Sequence, residues 1–211
     1  MDIERFKLKP VMGILRGVGT HLIEPLTRAV IAAGLETMEI TMNSEGAPEL
    51  IKRAVKVSGG RIAIGAGTVL DMKSLNIALS AGATFIVTPV FIDHVTAYCV
   101  KNKIPVFPGA LTPAEIYEAW SAGATMVKVF PSGVFGPKYL KEIKGPFNDV
   151  KLLACGGVTP DNMEEYFANG ADAISFGAGV FRSDWLAKKN FAEIEARIKE
   201  YIDKLYASGI L

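Results

Sequence analysis

The chain has 211 residues, half of them hydrophobic, which suits one domain with a substantial buried core. Twenty-three basic against 22 acidic side chains leave a formal charge of +1, providing no broad field for nucleic acid or an anionic membrane surface. Cys99 and Cys155 form no paired motif, Met1 to Lys9 holds no apolar signal core, and no apolar run approaches the roughly 18 residues of a spanning helix. These features lead us to expect a soluble protein of a reducing cytoplasm, with no nucleic-acid or membrane partner.

Taken in chain order, the charged–apolar opening predicts a short helix, followed by an apolar strand at Val11–Leu15. Further strands are expected around Met38–Ile40, Ala63–Gly65, Phe85–Val87, Ile104–Phe107, Met126–Val127, Leu152–Cys155 and up to Phe176. They are short, β-branched and apolar on both faces, as strands are when helices cover both sides of a parallel sheet. Amphipathic helices separate them, for example Ala29–Ala33, Pro160–Ala168 and Phe191–Tyr206. Thr112-Pro113-Ala114-Glu115 and Thr159-Pro160-Asp161 read as helix starts, with Thr capping and Pro in the first turn. Gly34, Gly82, Gly123 and Gly170 each close a helix, at intervals of 48, 41 and 47 residues. A βαβ unit needs about 30 residues, so each interval holds two strand–helix units. An open doubly wound sheet alternates in the same way, but eight regular units favour closure. The expected fold is α/β: one parallel (β/α)8 TIM barrel over residues 1–211, with a short N-terminal helix and no second domain.

Chemistry in such a barrel belongs at the C-terminal strand ends. There the sequence places Arg16, Thr68, Pro89, Lys128, Phe130 and glycine turns at Gly156-Gly157 and Gly177-Ala178. Glu39 lies five residues after Gly34, and Lys128 five after Gly123, on even-numbered strands that share interior layers. With a period of two, Met38, Ile40, Val127 and Val129 face the helices while Glu39 and Lys128 face inward at one level. Burial of the ammonium predicts a lowered pKa and an amine able to form a Schiff base. Two other readings of the same pattern are a Glu–Lys pair that merely fills the barrel and a register slip that leaves Lys128 outside. Glycine turns after the seventh and eighth strands suit phosphate binding by backbone N–H groups. His21 and His94 fall at helix starts rather than in a cluster, and neither a metal site nor a cofactor is expected.

The residues Ile14-Leu15-Arg16, Glu39-Ile40-Thr41, Gly65-Ala66-Gly67-Thr68, Ile86-Val87-Thr88-Pro89, Lys128-Val129-Phe130-Pro131-Ser132, Gly145-Pro146-Phe147 and Gly156-Gly157-Val158 run through nearly the whole chain. In these the chain resembles the class I 2-keto-3-deoxy-6-phosphogluconate / 4-hydroxy-2-oxoglutarate aldolases, including the 6-phosphogalactonate branch. The resemblance implies a phosphorylated keto-acid substrate cleaved to pyruvate and glyceraldehyde 3-phosphate. It assigns Lys128 as the Schiff-base lysine and Glu39 as the general acid/base. Arg16 and Thr68 would hold the pyruvyl end, with Pro89 shaping the wall and Phe130 beside the substrate. Gly156, Gly157, Gly177 and Ala178 would hold the phosphate, and the assembly would be a homotrimer. Asn43 stands where gluconate-type relatives carry arginine, a charge that Arg16 would supply as in the galactonate branch. Cys155 replaces a threonine of some relatives, and Ala178 a serine of many. A phosphosugar isomerase-type barrel and a non-catalytic phosphate-ester-binding barrel are the competing functions.

Overall fold

The computed structural model describes residues 1–209. A short helix, α1 (Ile3–Leu8), precedes β1 (Val11–Leu15); its cap is the Asp2 carboxylate, which accepts from the Glu4 and Arg5 amides. There follow α2 (Ile23–Ala32), β2 (Thr37–Thr41), α3 (Ala47–Ser58), β3 (Ala63–Gly67), α4 (Met72–Ser80), β4 (Ile86–Val87) and α5 (Asp93–Lys101). The second half has β5 (Val106–Phe107), β6 (Gly109–Ala110), α6 (Pro113–Ser121), β7 (Val127–Val129), a 3-10 turn (Ser132–Val134) and α7 (Lys138–Lys144). It ends with β8 (Leu152–Cys155), α8 (Met163–Ala168), β9 (Ala173–Phe176), α9 (Ser183–Ala187) and α10 (Phe191–Ala207). No helix among the described residues is long and apolar enough to cross a membrane.

All strand pairs are parallel, in the order β5-β4-β3-β2-β1-β9-β8-β7-β6. The two ends of that order are halves of a single stretch of chain, interrupted at Pro108. The fifth strand predicted to end near Pro108 therefore continues to Ala110. Proline has no N–H to give to the ladder, which breaks the strand without ending it. The Lys128 amide donates to Pro108 O at 2.8 Å and the Thr125 amide to Val106 O at 2.9 Å, closing the ring.

The repeat of closing glycines has a common geometry. At Gly34, Gly82, Gly123 and Gly170 φ lies between 82° and 99°, and the following amide reaches back five residues, as from Leu35 to Val30 O and Ala124 to Ala119 O. This is the Schellman closure, and only glycine takes its left-handed position without steric cost. Thr112 caps α6 as expected, and with Glu115 it forms a capping box. The other expected start is corrected: α8 begins at Met163 rather than at Pro160. The Asn162 side chain instead accepts from the Thr159 amide and donates to Gly157 O, so that stretch is held as a turn.

Two cores follow from strand alternation. Met38, Ile40, Val127, Val129, Leu152 and Ala154 pack outward against the helices. Met12, Phe85, Val87, Phe107, Met126, Leu153 and Ala173 fill the barrel interior, with Phe6 of α1 plugging its N-terminal end. Phe6 and Phe85 each meet Phe107 edge-on, with centroids 5.9 and 5.8 Å apart. Gly65 makes room for this stack, since a Cβ there would lie 2.4 Å from the Phe85 ring. The apolar plug closes one end and leaves polar interior positions toward the other.

Candidate active site

Directly above the plug, β2 and β7 point Glu39 and Lys128 into the barrel. Lys128 Nζ lies 3.7 Å from Glu39 Oε1, and the two side chains are 9% and 1% exposed. The alternative of a register slip is thereby excluded, because Val127 and Val129 occupy the outer core. Glu39 Oε2 is buried and has no hydrogen-bond partner, an unusual condition for a buried carboxylate oxygen.

Burial pushes the Glu39 carboxyl above its ordinary range, and the opposing pull of Lys128 and Arg16 does not restore it. For Lys128, burial is the largest single influence and favours the neutral amine, but the Glu39 carboxylate and Cys155 together outweigh it and the net direction is upward. The lowered amine pKa expected from burial alone is therefore corrected, because the carboxylate sits within ion-pair reach.

The remaining strand ends complete the mouth. Arg16, just past β1, is exposed yet close enough to act on both charged groups. Its turn is fixed to β2: the Gly17 amide donates to Ser44 Oγ at 2.8 Å, and Ser44 Oγ lies 3.0 Å from Thr41 Oγ1. Thr68 follows β3 with φ of 54°, a left-handed backbone that a β-branched residue rarely adopts and that clusters at binding sites. Pro89 follows β4, its carbonyl pressed so closely on Gly109 that a Cβ there would stand 2.2 Å away. Phe130 is 42% exposed at the mouth, its ring centroid 5.7 Å from Lys128 Nζ.

Beyond β8, Gly156 and Gly157 hold consecutive left-handed conformations, φ 90° and 80°. Beyond β9, half-buried Gly177 packs on Ile14 of β1, and Ala178 beside it is exposed. Among the described residues, none of the amides of Gly156, Gly157, Gly177, Ala178 and Gly179 donates to a backbone carbonyl. Backbone amides left free in this way are available as donors to an anion. The buried Ser132 hydroxyl reaches both Cys155 O and Gly156 O at 3.0 Å, and the Gly133 amide donates to Gly156 O at 2.8 Å. The turn after Lys128 and the glycine turn after β8 are thus one interlocked piece. Sequence reading quoted Gly67 and Ser132 among the strand-end motifs but gave neither a role of its own.

A closed parallel barrel with a lysine and a carboxylate facing one another beneath its C-terminal mouth defines a Schiff-base-forming aldolase. A family model described as "Aldolase: KDPG and KHG aldolase" matches residues 3–197, and the chain belongs to that family. It is 33% identical over 193 residues, 91% of this chain and 94% of the relative, to the 2-dehydro-3-deoxy-6-phosphogalactonate aldolase of Escherichia coli K12. The barrel also superposes on a KDPG aldolase from Legionella pneumophila with pyruvate captured as a covalent carbinolamine. That match has a TM-score of 0.83 and 26% identity, covering 90% of this chain and 92% of the other. A cube-shaped protein cage designed by fusing symmetric oligomeric domains matches with TM-score 0.88 and 31% identity, over 94% of this chain and 73% of that one.

Proposed function

We propose that this chain cleaves a 2-keto-3-deoxy-6-phospho-aldonate, of gluconate or galactonate type, to pyruvate and glyceraldehyde 3-phosphate. We extend the proposal to 4-hydroxy-2-oxoglutarate, which lacks the phosphate. The single observation that carries it is the buried Lys128–Glu39 pair with its unpartnered Oε2 at the catalytic end of the barrel.

The pair resolves the difficulty of a protonated nucleophile. Moving one proton from Nζ to the carboxylate turns two buried charges into two neutral groups, and burial favours that exchange. The free amine attacks the C2 ketone, and loss of water gives an iminium. Glu39, returned to its carboxylate form, removes the C4 hydroxyl proton, directly or through a water. The C3–C4 pair then flows into the iminium, and the aldehyde leaves. The enamine is protonated at C3 and water releases pyruvate from Lys128.

In this scheme Arg16 and Thr68 hold the pyruvyl carboxylate, and Pro89 and Phe130 form the pocket walls. Gly156, Gly157, Gly177 and Ala178 receive the phosphate through backbone N–H groups, an arrangement supported by the freed amides there. With alanine at 178, no side-chain hydroxyl assists at that position. The whole chain acts as one domain in this reading, assembled as a homotrimer, as the family resemblance implies. Two unpaired, buried cysteines fit a reducing cytoplasm.

The test is borohydride reduction in the presence of pyruvate, followed by peptide mass spectrometry. A pyruvyl adduct on the Lys128 peptide is expected. A wild-type protein with no adduct on Lys128, under conditions that trap a known aldolase, overturns the reading and favours an isomerase or a binding protein.

A further inference from the structure

Four consecutive carbonyls at and after the end of β8 are each held by a donor from another part of the chain. The Ser132 hydroxyl reaches Cys155 O and Gly156 O, both at 3.0 Å, and the Gly133 amide donates to Gly156 O at 2.8 Å. The Asn162 side-chain amide donates to Gly157 O at 2.9 Å. The Tyr201 hydroxyl of α10 donates to Val158 O, also at 2.9 Å. Tyr201 is 2% exposed and belongs to the helix-facing core, its ring centroid 4.6 Å from that of Phe176. The turn is backed sterically as well, since a Cβ on Gly157 would stand 2.9 Å from Gly133 Cα.

A trans peptide is planar, so its N–H points opposite to its C=O. Holding the carbonyls of Cys155, Gly156 and Gly157 therefore fixes the directions of the Gly156, Gly157 and Val158 amides. Among the described residues none of these three amides donates to a backbone carbonyl. The next amide, that of Thr159, is taken by Asn162 Oδ1 at 2.8 Å. Tyr201 holds the carbonyl of that same peptide, so the run of free amides ends at a fixed point.

We propose that Asn162 and Tyr201 are positioning residues that preset this turn as a phosphate cradle, and so set the preference for phosphorylated over phosphate-free keto acids. Both act through the main chain, from the side away from the substrate. Ala178 brings no hydroxyl to the phosphate, so the aim of the backbone amides carries more of its binding. A turn whose amides are already aimed loses little freedom when the anion arrives. The inference rests on the aldolase reading above and on its placing of the phosphate at these turns.

The test compares wild type, Tyr201→Phe, Asn162→Ala and the double variant in two assays. One is kcat/KM for cleavage of a 2-keto-3-deoxy-6-phospho-aldonate, using whichever of the gluconate and galactonate types wild type cleaves better. The other is borohydride trapping of pyruvate on Lys128, which involves no phosphate. Loss of one hydrogen bond should lower kcat/KM about three- to tenfold, and the double variant should lose more than either single one. The rate and half-saturating concentration of pyruvate trapping should match wild type. A merely structural role would lower both assays together. Parallel losses in the two assays, or no loss in either, overturn the inference and leave the aldolase reading intact. If Tyr201→Phe does not fold, Asn162→Ala, at a half-buried position in the turn, decides alone on the same terms. Wild type that traps pyruvate but cleaves no phosphorylated substrate also overturns the inference. Absence of any wild-type adduct overturns the aldolase reading and this inference with it.

Discussion

Gly67 lies so close to Glu39 that a Cβ at that position would stand 2.5 Å from Oε1 and 2.6 Å from Cδ. The main chain of β3 cannot yield, because it is laddered to β2 with Gly67 paired to Thr41. Gly67→Ala must therefore displace the carboxylate, which is surrounded and has no solvent to enter. Misplacement of a reacting group by about 1 Å costs on the order of 100-fold. Pyruvate release followed in a coupled assay should fall by at least that factor in a protein that still melts cooperatively. Normal turnover in Gly67→Ala would mean that the carboxylate is not held where the chemistry needs it.

The part of this site legible in the sequence was what alternation and the turn repeat determine. Glu39 and Lys128 could be turned inward because the flanking Met38, Ile40, Val127 and Val129 had to face helices, and the structure places them so. Two features were set instead by contacts across the barrel. The upward direction of the Lys128 pKa depends most on Glu39, 89 residues away in the chain, arriving at 3.7 Å, and after it on Cys155. The room for that carboxylate depends on Gly67, which reads in sequence as one more turn glycine. The start of α8 was misplaced for a local reason: Thr-Pro-Asp favours a helix start, but Asn162 ties the segment back to Gly157 and Thr159 and delays it.

The N-terminal plug should be separable from catalysis. Phe6 is 2% exposed and closes the interior opposite the mouth, edge-on to Phe107. Phe6→Ala leaves a cavity with rigid strand walls, and such truncations cost about 3–5 kcal/mol. Urea unfolding should show a lower midpoint with little change in slope, while turnover of the folded protein stays near wild type. A midpoint within error of wild type would show that α1 does not support the barrel.

Acid should loosen the same helix. Glu36 accepts from Lys9 Nζ at 2.8 Å and from Arg5 Nε at 2.6 Å, strapping α1 to the start of β2. Burial alone would raise the Glu36 carboxyl, but the hydrogen bonds from Lys9 and Arg5 prevail and its pKa is lowered. A carboxyl lowered by folding stabilises the native state above its unfolded value near about 4.3, and loses that contribution as pH falls through the lower folded value. These groups are partly solvated, so the effect is under about 1 kcal/mol. Glu36→Gln should melt slightly earlier at neutral pH and converge with wild type in acid. Parallel curves at all pH values would rule out the linkage.

Glu39→Gln separates the two roles given to the carboxylate. The amide keeps the size of the side chain but cannot take the C4 hydroxyl proton, so aldol cleavage should slow by about 10²–10⁴-fold. Removing the charge also removes the strongest influence holding the Lys128 pKa up, leaving burial, the largest influence of all, to lower it. The pH profile of pyruvate trapping on Lys128 should therefore shift to lower pH in the variant, even as cleavage collapses. Near-normal cleavage would take Glu39 out of proton transfer. A trapping profile that stays in place would show that the lysine does not sense the carboxylate beside it.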